Sequence, residues 1–211
     1  MNRPWTAAER DRVLAIAPPH LVVPLAIGRW TGLREGDVVR LPKTAYDGAV
    51  IRIVTGKRGV PVVLPVAQPL REVLAAAPPH QAMTLIANSR GRQWTQSGFR
   101  ASLFKFLRTV ETAGEIGPGL TFHGLRHTVG TELRELGFDL RTIADLLGQQ
   151  TEAMAAHYSR GADLSRKLET VVQTLERANA KRTKLSTNGT CISANFRLLG
   201  PSNSAFAAAR T

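Results

Sequence analysis

The chain has 211 residues, 43% of them hydrophobic, enough for one full core and too few for two comfortable ones. Its 28 Lys and Arg against 16 Asp and Glu leave a formal net charge of +12, so a polyanionic partner is expected, whether nucleic acid or an anionic membrane surface. The single Cys191 excludes an internal disulfide and a cysteine-based zinc site, no secretory leader is read at Met1-Asn2-Arg3-Pro4-Trp5, and the apolar run 21–27, interrupted by Pro24, is too short for a bilayer span; a cytoplasmic protein is expected.

Thr6-Ala7-Ala8-Glu9 reads as a capping box that opens a helix running toward Ala17, and Pro18-Pro19 ends it. A second apolar helix covers 21–30 and stops near Gly32. Residues 50–54 and 60–64 are β-rich and flank Gly56-Lys57-Arg58-Gly59, a hairpin signal. Residues 83–86 offer a third strand. Thr95 opens a long helix that reaches about Glu115, and Gly117-Pro118-Gly119 punctuates the chain. Three short helices follow: 123–136, closed by Gly137; 139–147, closed by Gly148; and 151–158. A last helix over 163–180 carries Leu164, Leu168, Val171, Val172 and Leu175 on one face. Residues 181–211 turn polar and basic, and a mostly disordered tail is expected there. The fold class predicted is mainly α with a small antiparallel β-sheet (α+β), in a single domain over 1–180.

Chemistry concentrates late in the chain. His123, Arg126 and His127 share one helical face. An arginine fork suits the non-bridging oxygens of a phosphate, although an isolated His-x-x-Arg is more often an ordinary surface helix with a paired arginine. His123 and His127 have the spacing of two zinc ligands, but Gly124 stands where a zinc-protease helix needs Glu, so no metal is expected. Arg34 follows the helix-breaking Gly32, with Asp37 near enough to hold the next turn or orient Arg34. Lys57 sits at the hairpin tip, where a lone lysine usually discourages edge pairing. Tyr158 follows His157 and is one of only two tyrosines, with Tyr46.

Read together and in order, Thr31-Gly32-Leu33-Arg34, hairpin Lys57, His123-Gly124-Leu125-Arg126-His127, Leu147-Gly148 and Tyr158 resemble the tyrosine recombinases, the phage-integrase family. The resemblance covers about residues 4–180, the family's catalytic domain; the N-terminal core-binding domain of that family is expected to be absent. It implies that Arg34 and Arg126 clamp the scissile phosphate of double-stranded DNA and stabilise a pentavalent transition state. Tyr158 would attack phosphorus and leave a 3′-phosphotyrosyl link. Lys57 would protonate the departing 5′-oxygen, and His123 would assist proton transfer at the tyrosine. Gln149 stands where the family usually has His, sometimes Trp; its amide donates a hydrogen bond to the phosphate but carries no proton. No cofactor or metal is implied. The family's assembly implies a homo-oligomer, a tetramer on DNA, joined through the 163–180 helix. The function expected is site-specific recombination or integration. The alternatives are a helix-turn-helix-like regulator built on 138–158, a cleavage-deficient integrase remnant and, less favoured, a type IB topoisomerase.

Overall fold

Thr6 begins the first helix, α1 (Ala7–Ile16), with a complete capping box: its Oγ1 accepts from Glu9 N at 3.2 Å, and Glu9 Oε2 accepts from Thr6 N at 2.9 Å. The computed structural model describes residues 2–57 and 59–186. Pro19 does more than end α1, since it is the first residue of α2 (Pro19–Thr31), where its fixed φ and missing N–H cost nothing. Gly32 closes α2 at φ 63° and donates its N–H to Gly28 O at 3.0 Å. A side chain at Gly32 would also stand 2.5 Å from Leu147 Cδ2, so the turn needs glycine twice over.

After α2 come α3 (Glu35–Arg40) and a single 3₁₀ turn at Lys43–Ala45. The predicted hairpin follows as β1 (Val50–Val54) and β2 (Pro61–Pro65), antiparallel with Ile51 opposite Leu64 and Ile53 opposite Val62. Ile51, Val62 and Leu64 point inward and are buried, as the two-residue period of a half-covered strand requires. Next are α4 (Gln68–Ala75), α5 (Gln96–Thr112), α6 (Phe122–Glu135), α7 (Leu140–Leu146), α8 (Glu152–Tyr158) and α9 (Ser165–Ser186). Side chains of Thr95, Thr121 and Asp139 cap α5, α6 and α7.

The fold class is as expected: mainly helical with a two-stranded antiparallel sheet among the described residues. Some details differ. Residues 83–86 form no third strand. They meet the connection after α3 through Lys43 N to Met83 O at 3.0 Å and Leu85 N to Leu41 O at 2.7 Å, around a single bridge between Pro42 and Thr84. Helices α3 and α4 were not expected. The last helix starts at Ser165, where Asp163 accepts from Ser165 N at 2.9 Å, and runs on to Ser186. The rest of the expected disordered tail, 187–211, lies outside the described residues.

The chain divides into a body through Leu168 and a second unit from Glu169. In the body, α2 is the central element: Leu21, Leu25 and Ile27 are fully buried, and α4 and α6 pack on it. The larger core gathers residues of α1–α5, the hairpin and the first turn of α6. A smaller one holds Val129, Ile143, Ala144, Leu147 and Ala155, beneath α6, α7 and α8. Among the described residues no helix is long and apolar enough to cross a membrane.

Candidate active site

Arg126 occupies the second turn of α6 and is 1% exposed, the largest fully buried side chain of the described residues. A buried guanidinium must be hydrogen-bonded to be tolerated. Its Nη1 donates to Gly32 O at 2.8 Å and its Nη2 to Leu147 O at 2.7 Å, so it ties the C-cap of α2 to the C-cap of α7. Its Nε has no partner among the described residues. Burial, with Arg34 nearby, pushes its pKa down to about 10, which leaves it charged at neutral pH.

Two residues beyond Gly32, Arg34 is the N-cap of α3 and half-buried. Its Nη1 is inaccessible and meets no partner among the described residues. Asp37, one turn on, reaches outward to the hairpin: its Oδ1 accepts from Gly56 N at 2.8 Å. That bond fixes the turn residue next to Lys57 against the helix that begins at Arg34. Lys57 is exposed. With Arg34, Arg40, Arg100 and His123 it lines one open cleft of about 800 Å³. Of the cleft's carboxylates, Glu35 is held by Arg100 Nη2 at 2.8 Å and Asp37 Oδ1 by Gly56 N at 2.8 Å, while the buried Asp37 Oδ2 has no hydrogen-bond partner among the described residues.

The other half of the site comes from α6 and α8. His123 Nε2 lies 3.1 Å from Tyr158 Oη. Burial above all, then the charges of His127, Arg126 and Arg34, push the His123 pKa down to about 4. The ring is therefore neutral at physiological pH. With its proton on Nδ1, Nε2 accepts from the phenol. The Arg126 guanidinium carbon stands 5.0 Å from the centre of the Tyr158 ring, a cation–π contact from the same side chain that joins the two caps.

Gln149 follows the turn at Gly148 and is 2% exposed. Its backbone N donates to Ala144 O at 2.8 Å, while its side-chain Oε1 and Nε2 have no partner among the described residues. A buried amide with nothing to bond demands an explanation. Arg34 Nη1, Arg126 Nε and Gln149 Nε2 are three buried donors without a partner among the described residues, on residues read as phosphate ligands.

The structure thus brings Arg34, Lys57 and His123 into one cleft, and hangs Tyr158 on His123 and Arg126. Neither the use of both Arg126 terminal nitrogens on backbone carbonyls nor the reach of Asp37 to Gly56 is legible in the sequence. Arg40 and Arg100 line the cleft as well; Arg40 lies one helix from Arg34 in the chain, while no local pattern ties Arg100 to it. Among the described residues no group of three or more His, Cys, Asp or Glu is placed to hold a metal ion.

The chain matches the model of the phage integrase family over residues 8–164. It is 29% identical over 167 residues to tyrosine recombinase XerC of Mycobacterium tuberculosis (strain ATCC 25177 / H37Ra), a match spanning 74% of this chain and 54% of that relative. The chain thus spans about half the length of the curated relatives it matches. Its fold is similar to that of XerA recombinase, with a TM-score of 0.67 at 22% identity, over 82% of this chain and 65% of that one. It is also similar to lambda integrase, solved as a tetramer bound to a Holliday junction, with a TM-score of 0.59 at 22% identity over 72% and 48% of the two chains.

Proposed function

The chain belongs to the phage integrase family, and on that premise we propose that it cuts and rejoins double-stranded DNA at specific sites through a 3′-phosphotyrosyl intermediate on Tyr158. The observation that carries this reading is the 3.1 Å contact between Tyr158 Oη and a neutral His123 Nε2, beside two arginines with unpartnered buried nitrogens.

In the proposed reaction His123 Nε2 takes the phenol proton as Tyr158 Oη attacks phosphorus. The bond from phosphorus to the 5′-oxygen breaks, and Lys57 delivers a proton to that oxygen. The 3′-phosphate stays esterified to Tyr158, so the free energy of the phosphodiester is conserved and a 5′-hydroxyl reverses the step. Arg34, Arg126 and Gln149 donate to the non-bridging oxygens, where charge builds in the transition state. These side chains hold the phosphate without a cofactor. Residues 1–180 form the catalytic module in this reading, and the protein works at the nucleoid.

Lambda integrase has been solved as a tetramer on a Holliday junction. For this chain we infer a homo-oligomer on DNA joined through α9, whose Leu168, Val171, Val172 and Leu175 are exposed. The helix-turn-helix alternative is not favoured: Ile143, Ala144 and Leu147 bury the inner face of α7 in the small core, and α8 ends on Tyr158.

The test is a pool of duplexes of randomised sequence, each nicked so that a cleaved strand diffuses away. The full chain is expected to leave a covalent protein–DNA adduct, and Tyr158→Phe is expected to leave none while binding DNA as before. Salt-dependent binding with no adduct from the unmodified chain would overturn strand cleavage.

A further inference from the structure

We propose that His127, which the reaction above does not use, is a positioning residue that holds the Tyr158 phenol against His123. Its chemical consequence rests on reading Tyr158 as the nucleophile; the geometric part does not.

Residues 123, 127, 130 and 131 fall on one stripe of α6, and each meets a different part of Tyr158. His123 Nε2 meets the hydroxyl at 3.1 Å. The His127 ring centre lies 4.5 Å from that of Tyr158, inclined at 44°. Gly130 lets the helices close, since a Cβ there would stand 3.1 Å from Tyr158 Cβ. Thr131 Oγ1 donates to Tyr158 O at 3.4 Å. The tyrosine is therefore addressed along its length, and His127 supports the ring.

His127 has the surroundings of a packing ring. Its centre is 5.3 Å from that of His123 and 5.7 Å from that of His157, so it fills the space between the helix that holds the hydroxyl and the helix that carries the phenol. Burial above all, then His157 and Arg126, lower its pKa and favour the neutral ring, although a hydrogen bond to the Tyr158 backbone acts the other way. Removing that ring opens a space beside the phenol. Tyr158 is then anchored at its backbone by Thr131 while its hydroxyl is free to swing from Nε2. A misplacement of about 1 Å at a reacting atom costs on the order of 100-fold in rate.

Two measurements on the full chain test this. Tyr46 and Tyr158 are the only tyrosines, so Tyr46→Phe leaves one phenol to watch. With tyrosine ¹³C-labelled at Cζ in that background, His127→Ala is expected to move the Tyr158 resonance toward the free-tyrosine position. His127→Phe, which keeps a ring, is expected to hold it near its original place. On the nicked randomised pool at saturating DNA, His127→Ala is expected to slow adduct formation roughly 10- to 100-fold with unchanged DNA affinity. His127→Phe should restore most of that rate. An unmoved resonance with an unchanged rate in His127→Ala overturns the inference, and so does a His127→Phe protein that behaves like His127→Ala. An unmodified chain that forms no adduct overturns strand cleavage instead, and the resonance still decides whether His127 holds the phenol.

Discussion

The larger core carries Arg34 and Lys57 at its edge, while the smaller core of Val129, Ile143, Ala144, Leu147 and Ala155 lies beneath the turn at Gln149 and the helix ending on Tyr158. The groups read as holding the phosphate and protonating the leaving oxygen therefore stand mainly on extensive packing. Tyr158, read as the nucleophile, stands on five buried side chains and the partly buried residues around them. Local opening is easiest where fewest apolar groups are buried, so α7 and α8 should open before α2. What joins the halves is α6, whose Phe122 and Leu125 belong to one core and Val129 to the other, and above all Arg126, bonded to Gly32 O on one side and Leu147 O on the other. The arginine that ties the regions is also the one proposed to hold the phosphate.

Breaking that tie is expected to have the largest effect. Arg126→Ala leaves the Gly32 and Leu147 carbonyls without their donor, at a cost of about 1–3 kcal/mol each. It also removes the proposed transition-state donor, expected to cost on the order of 100- to 1,000-fold in the adduct rate. Arg126→Lys keeps the charge but not the two-armed reach, so it should recover DNA affinity more than stability. Urea unfolding beside adduct kinetics checks both duties. If Arg126→Ala stays within about 0.5 kcal/mol of the parent, the two regions are held by something else.

A second experiment sharpens the comparison by opening one core at a time. Ile143 is 0% exposed in the small core, and Leu25 is 0% exposed in the large one. Truncating either to Ala should cost about 2–5 kcal/mol. Ile143→Ala is expected to speed hydrogen exchange in α7 and α8 and to slow adduct formation, while α2 stays protected. Leu25→Ala is expected to speed exchange in both regions. Equal acceleration of α2 and α8 by Ile143→Ala would mean that the small core does not open on its own.

How much of this was legible depends on the distance over which each feature is determined. Thr6 and Glu9 are three residues apart, and the capping box they form is as read. The starts of α5 and α7 at Thr95 and Asp139 are equally local. Helix α3 is six residues long, too short to show an apolar period, while α4 carries Leu70, Val73 and Leu74 at helical spacing over only eight residues. Residues 83–86 have the composition of a strand, but their partner is the connection at Leu41 and Lys43, which no local pattern names. The candidate site divides in the same way. Its six residues stood out by type and order along the chain. Their contacts did not, because Arg126 finds Gly32 across 94 positions and Leu147 across 21, and His123 finds Tyr158 across 35.

Gln149 supplies the smallest expected effect and the finest test of the division. It sits on the nucleophile's side of the molecule, yet its unpartnered buried amide is read as a phosphate ligand. Histidine there can donate as a cation, and a charged donor gains about 1 kcal/mol over a neutral one, roughly fivefold in rate. Gln149→His should therefore speed adduct formation by about that factor where the DNA phosphate holds the imidazolium against the burial and neighbouring arginines that lower a histidine pKa in this site. The gain should disappear in an Arg126→Ala background, because Leu147 O, the carbonyl two residues before Gln149, is then no longer held by Arg126 and the turn is free to drift from the clamp. A full fivefold gain in both backgrounds would show that the position of residue 149 owes nothing to the tie.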